Sequence, residues 1–269
     1  MKIKSILLIL GMLAVSGWAE RYSPELVQKA EAGDAKAQAY LGDCYYYGDG
    51  VTKDYKEMLK WYTRAAQQGA ANAQFNLGAL YASGPGVIKD DKEAVKWFTK
   101  AAEQGYAKAQ VVLAGCYVKG EGVTKDDKEA VKWFTRAAQQ GDAVAQDCLG
   151  SCYRKGKGVT QDAKEAMKWY TKSAEQGYAD AQTRLSECYS LGEGVAEDQK
   201  EAVIWLTKSA LQGNAGAQER LGKRYFTGNG VTEDKKEAAK WLEKSAEQGN
   251  QSAKEALEKL RALEKLRSN

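Results

Sequence analysis

AKAQVVLAGCYVKGEGVTKDDKEAVKWFTRAAQQGD, residues 107–142, is one copy of a text that fills most of the chain. Aligned on its tryptophan, Trp133, the same pattern surrounds Trp61, Trp97, Trp169, Trp205 and Trp241, each 36 residues from the next. A fixed period of about 20–50 residues signals stacked supersecondary units, none of which can bury its apolar face alone. The units run 35–70, 71–106, 107–142, 143–178, 179–214 and 215–250, together 216 of the 269 residues. Length alone suits one or two globular domains. The repeat argues instead for one elongated domain without an internal linker.

Each unit reads as two antiparallel helices. In the second unit Ala71, Ala73, Leu77, Gly78, Leu80 and Tyr81 recur at three-and-four spacing, one buried stripe of a first helix. That helix stops at Gly84, and Gly48, Gly120, Gly156, Gly192 and Gly228 hold the same place elsewhere. We expect all six to close the helix in the left-handed conformation. A second glycine follows two residues on, then a valine (Val51 and its equivalents) that we read as the loop's anchor in the core.

The second helix starts at Asp54, Asp90, Asp126, Asp162, Asp198 or Asp234. Three residues later stands Glu57, Glu93, Glu129, Glu165, Glu201 or Glu237. Aspartate at the cap with glutamate at the third helical position resembles a capping box. These paired carboxylates could also suggest acid–base chemistry. An active site does not recur unchanged in every unit, so we assign them to the fold. Along the helix Ala94, Trp97, Phe98, Ala101 and Ala102 share a face, with Lys96 and Lys100 outward. At position 8 of the first helix Gly42, Gly78, Gly150 and Gly222 are joined by the small Ala114 and Ser186. Glycine costs about 1 kcal/mol against alanine inside a helix. We therefore expect a neighbouring helix, through its tryptophan, to pack too close there for a side chain.

The blocks A-x-A-Q, L-G-x-x-Y, G-x-G-V, D-x-x-x-A and W-x-x-K-A-A-x-x-G, repeated six times, resemble the Sel-one-like repeat (SLR) family, relatives of the tetratricopeptide repeat. Departures are few: Met58 for alanine, Ile204 for lysine, and Leu206 and Leu242 where other units have an aromatic. The resemblance implies an all-α fold, a right-handed α/α superhelical solenoid of six 36-residue helix–loop–helix repeats with helical caps. It also implies a role as adaptor or scaffold for proteins. A cysteine-rich secreted branch of that family, linked to penicillin binding or β-lactam hydrolysis, supplies the alternative function. Its regular pairing of cysteines does not match the spacing here.

The ends fit a capped solenoid. Residues 1–19 carry Lys2 and Lys4, an apolar run from Ile6 to Val15 and then Gly17-Trp18-Ala19, the form of a secretory signal cleaved after Ala19. The run is too short for a membrane span. The expected localisation is periplasmic or extracellular. Residues 20–34 hold a capping helix begun by Ser23-Pro24. Residues 251–269 form a charged capping helix with a stripe of Ala253, Leu257, Leu260, Leu263 and Leu266. A monomer is expected, with a dimer seam along that stripe as the alternative.

Composition excludes several classes. The chain has no histidine, which removes His-based triads and His-ligated metals; no cofactor or metal site is expected and the chain reads as a non-enzyme. Net charge is +4, and removing Lys2 and Lys4 leaves +2 with signs interspersed, a poor match to nucleic acid. Cys44, Cys116, Cys152 and Cys188 share position 10, and Cys148 precedes Cys152 by one turn. Packed helices lie about 8–10 Å apart and a disulfide needs Cα atoms within about 7 Å, so equivalent cysteines should not bridge. We read most as small buried core residues.

Function should then sit where the units differ, at positions 2, 5, 6, 9, 12 and 13 of the first helices. By resemblance to tetratricopeptide arrays, several of these line the concave face. Early units offer Tyr40, Tyr46, Tyr47, Phe75, Val111, Val112 and Val118; later ones offer Asp147, Arg154, Lys155, Asp180, Arg184, Glu187, Glu219, Arg220 and Lys223. We expect a groove, apolar and aromatic at first and charged later, that takes a peptide or a partner protein. The competing reading has some of these side chains, position 6 above all, packing between repeats.

Overall fold

The computed structural model describes residues 22–268, with side chains described as far as 263. The signal expected at 1–19 and the side chain of Leu266 lie outside the described residues. Every described element is a helix. A short α1 (Pro24–Glu31) precedes six helix pairs. These are α2 (Ala35–Tyr47) with α3 (Tyr55–Gln67), α4 (Ala71–Ser83) with α5 (Asp91–Glu103), and α6 (Ala107–Lys119) with α7 (Asp127–Gln139). They continue as α8 (Ala143–Lys155) with α9 (Ala163–Glu175), α10 (Ala179–Leu191) with α11 (Gln199–Leu211), and α12 (Ala215–Thr227) with α13 (Lys235–Glu247). The last helix is α14 (Gln251–Ser268).

Two compact units divide the chain, the first ending at Asp142 and the second beginning at Ala143. Within each, a first helix packs on its own second helix, and that second helix on the next first helix. In the first unit Met58, Tyr62, Ala65 and Ala66 of α3 meet Ala73, Leu77 and Leu80 of α4. In the second, Leu206 and Ala210 of α11 meet Ala217 and Leu221 of α12, with Trp241 alongside. Val51, Val87 and Val231 pack against these clusters as loop anchors. Ser23 caps α1, its Oγ accepting from the Leu26 N–H at 3.1 Å, with Pro24 in the first turn. At the other end Leu257 and Leu260 of α14 are buried against Ala238 and Leu242 of α13, while Leu263 stays exposed. Much of the leucine stripe is thus spent within the chain.

Three expectations change in the structure. Gly84 is extended (φ −83°, ψ 164°), unlike Gly48, Gly120, Gly192 and Gly228, which are left-handed. Pro85 follows it, and a residue before proline is driven toward the extended region. The capping aspartates do accept from the second and third helical N–H groups, but the reciprocal half of the capping box is absent. The aspartate's own N–H donates instead to the carbonyl of Tyr45, Tyr81, Tyr117, Tyr153, Tyr189 or Tyr225. The glutamates are released to pair with a lysine three residues on, as in Glu129–Lys132 at 2.7 Å. Ile204 removes that lysine in the fifth repeat.

The third change concerns position 8. A Cβ on Gly42, Gly78, Gly150 or Gly222 would fall 2.7–2.8 Å from Tyr62, Phe98, Tyr170 or Leu242. The close neighbour is therefore the residue after the tryptophan. The tryptophans themselves lie under a cation one turn on: Arg64 sits 4.8 Å from the Trp61 ring centroid, Lys100 4.1 Å from that of Trp97 and Lys208 3.7 Å from that of Trp205.

Within each unit, buried amides tie neighbouring helices together. Gln38, Gln74, Gln110, Gln146, Gln182 and Gln218 are 3–5% exposed. Each accepts a bond from the glutamine that caps the end of its own second helix, such as Gln140 Nε2 to Gln110 Oε1 at 2.8 Å. Gln110 Nε2 donates in turn to the Ala102 carbonyl of the preceding repeat at 3.0 Å. Gln110→Leu strands that carbonyl and the Gln140 amide. It should cost about 1 kcal/mol or somewhat more, read as a lower denaturation midpoint.

Candidate functional site

The expected aromatic face lies in the first unit and is only partly a surface. Phe75 is 3% exposed and Val111 1% exposed, and Val112 is also buried. Position 5 turns inward: the Phe75 ring sits 5.7 Å from that of Phe98 and 5.4 Å from that of Tyr106. These valines and Phe75 therefore pack between helices rather than facing a partner. Position 12 faces outward. Half-buried Tyr46 stacks edge-on against Tyr47 at 5.0 Å and lies tilted against Tyr55 at 6.3 Å, both of the latter being 39% exposed. Tyr40 is half-buried, with Lys36 Nζ 5.8 Å from its ring centroid, and Val118 is half-buried. Between Tyr46, Tyr62, Phe75 and Leu80 lies a slot of about 20 Å³, room for about one water.

The charged face lies in the second unit, where the side chains lock to one another along the stack. Arg184 Nε donates to Asp147 Oδ1 at 2.7 Å, and Asp147 is 4% exposed. Arg154 bridges Glu187 at 2.8 Å and Glu193 at 2.7 Å. Glu187 also takes Arg220, while Glu219 takes Lys223 and the Ser252 hydroxyl. Asp180 accepts from Asn214 Nδ2 at 2.8 Å. Burial pushes the Asp147 carboxyl up to about 6 despite Arg184. Burial also works against Glu187, but Arg154 and Arg220 hold its carboxyl below the usual range. The sequence brought these residue types into view. It could not show that partners 33–37 positions apart would neutralise one another.

One residue on this face escaped the sequence reading. Arg224 stands at position 10 of the last repeat, where other repeats bury Cys44, Leu80, Cys116 or Cys188. The guanidinium lines a cleft of about 520 Å³ with Arg154, Glu187, Leu191, Arg220 and Lys223. The substitution at a core position was the available signal.

Three of the five cysteines are held away from reactivity. Burial pushes the Cys116 thiol up to about 12, and those of Cys44 and Cys188 up to about 11. That direction is opposite to the one an activated nucleophile needs. Cys148 and Cys152 are half-buried on α8.

Stacked helix pairs with a constant frame and variable first-helix faces define a tandem-repeat α/α solenoid, a class whose members generally serve as protein–protein interaction scaffolds. The Sel1 repeat description matches residues 35–69, 71–106, 107–142, 143–178, 179–214 and 215–250, and the chain belongs to that family. A protective antigen of uropathogenic Escherichia coli with an SLR fold is 42% identical at a TM-score of 0.83 over 87% of this chain. The present chain spans only 50% of that antigen's length. A Sel1 repeat protein from Oxalobacter formigenes is 39% identical at a TM-score of 0.75, over 83% of this chain and 87% of its own. The secretory immunoglobulin A-binding protein EsiB of Escherichia coli shares 49% identity over 41 residues, 15% of this chain and 8% of its own. No helix among the described residues is long and apolar enough to cross a membrane.

Proposed function

We propose that the protein is a non-catalytic interaction scaffold of the periplasm or extracellular space, which holds a peptide or partner protein on its variable first-helix faces. The reading rests on one contrast. The invariant residues are consumed by the fold as caps, buried amides and tryptophan–cation pairs, whereas Tyr46, Tyr47 and Tyr55 form an aromatic cluster that keeps solvent-facing area. Aromatic side chains that hold their own geometry at a surface are efficient anchors, because little side-chain entropy is lost on binding. The binding of immunoglobulin by EsiB is consistent with a protein ligand here, although the shared stretch is short. Gathering of proteins by such a face needs no acid, base or nucleophile.

Affinity capture from periplasmic and culture-medium fractions tests this, with wild type compared against Tyr46→Ala/Tyr47→Ala. Loss of the captured protein, with the helical circular-dichroism signal unchanged, is the expected result. Identical capture by both proteins would remove the aromatic cluster from the binding face.

A further inference from the structure

Three carboxylates stand among four cations around the cleft of the second unit. Glu187 is taken by Arg154 and Arg220, Glu193 by Arg154, and Glu219 by Lys223. Arg224 is left over. Its guanidinium donates only to neutral groups: Ser190 Oγ at 2.7 Å, Gln199 Oε1 at 2.9 Å and the Asn229 carbonyl at 3.4 Å. Among the described residues it makes no ion pair. Burial and the neighbouring Arg220 both disfavour its charge. A half-buried cation without a counter-ion is costly to keep. The frame offers no reason for it, because thiols or a leucine fill the same place in the other repeats.

We propose that this cleft binds an extended acidic peptide segment of a partner protein, one carboxylate pairing with the Arg224 guanidinium and an adjacent apolar side chain covering Leu191. Charge complementarity selects the occupant, since the cleft lacks one anion and a guanidinium matches a carboxylate in a planar fork. Leu191, 62% exposed at the rim, supplies apolar area for the neighbouring residue. A volume of about 520 Å³ admits two or three side chains and falls in the ordinary range of ligand sites. The proposal rests on the scaffold reading and adds the chemistry of its ligand.

Fluorescence anisotropy with a labelled decapeptide of alternating glutamate and leucine tests it, with the glutamine counterpart as control. Wild type should bind the acidic peptide in a salt-sensitive manner and bind the glutamine peptide weakly. Arg224→Gln should lose about tenfold or more in affinity, while Lys240→Gln, a surface change paired elsewhere, should not. Thermal midpoints of the two variants separate misfolding from lost binding. If Arg224→Gln proves unstable, Leu191→Ser should weaken binding from the rim. Equal affinity for both peptides, or binding untouched by both cleft substitutions, overturns the proposal. So does displacement of the peptide by millimolar inorganic phosphate as readily as by excess acidic peptide, which would show a site for anions in general. Partner capture that depends on Tyr46 and Tyr47 alongside indifference to the acidic peptide would overturn this inference and leave the scaffold reading standing.

Discussion

Arg184→Met is expected to destabilise the protein by about 1.5 kcal/mol at pH 7 and by much less at pH 5. The substitution keeps the hydrocarbon stem but removes the charge that faces Asp147, which is 4% exposed on α8. Breaking a buried pair by removing one partner costs about 3–5 kcal/mol, because the other charge is left uncompensated. The cost here falls below that range, since the Arg184 side chain remains 35% exposed and protonation of a carboxyl near 6 caps the charge penalty at pH 7 at about 1.4 kcal/mol. Asp147 can also escape by taking up a proton. Its carboxyl already titrates near 6 with the arginine present, and burial alone would drive it higher. At pH 5 the folded-state carboxyl is largely neutral in both proteins, so the arginine has little charge to compensate. Urea denaturation midpoints at the two pH values measure the difference. Asp147→Leu/Arg184→Met should recover most of the loss at pH 7, since an apolar pair of similar volume carries no desolvation cost. An equal loss at both pH values would show that Arg184 acts through packing alone.

The fold was legible because it is periodic. Capping aspartates, loop valines and core alanines recur six times, so each position could be judged against five others. Three kinds of feature were not legible, each for a physical reason. Phe75 and Val111 at position 5 point inward while Tyr46 at position 12 points outward. That distinction depends on the rotation of each helix against its neighbours, which spacing alone leaves open. The glutamines at position 4 look like surface residues by type; only the packing shows that each accepts from an amide at the end of its own second helix, and that Gln74, Gln110, Gln182 and Gln218 donate to a carbonyl of the preceding repeat. The capping box failed because a tyrosine carbonyl far back along the chain reaches the aspartate N–H first, as Tyr117 does for Asp126. Of the candidate site, residue types were visible and mutual pairing was not. Charges that look available in the sequence are largely spent on one another in the second unit, which is why the unpaired Arg224 stands apart.

Asp43→Asn should stabilise the protein by about 2 kcal/mol at pH 7 and have little effect at pH 4. Burial pushes the Asp43 carboxyl up to about 6, and the hydrogen bond from the Tyr62 hydroxyl only partly opposes this. The sign follows from comparing the two states. Below about 4 the carboxyl is protonated whether the chain is folded or unfolded, so it contributes no pH-dependent difference. Between about 4 and 6 the unfolded chain releases the proton and the folded chain keeps it, so stability falls as pH rises. Above about 6 the penalty is complete, and a tenfold difference in proton affinity between the two states is worth about 1.4 kcal/mol. Asparagine cannot ionise, and its Oδ1 can still accept from Tyr62; its new amide hydrogens recover less than the full amount. Asp147 adds a contribution of the same sign in the same window. Glu187 and Glu219 act oppositely: burial raises them, but Arg154 and Lys223 respectively prevail and hold them low. Their stabilisation is therefore lost only on acidification below the ordinary glutamate range. Wild-type stability should consequently pass through a maximum between about pH 4 and 5. The Asp43→Asn protein should show a flatter decline toward pH 7. Denaturation midpoints across pH 3.5–7.5 decide the matter: a wild-type curve that rises steadily to neutrality would contradict the buried-aspartate account, whatever the variant does.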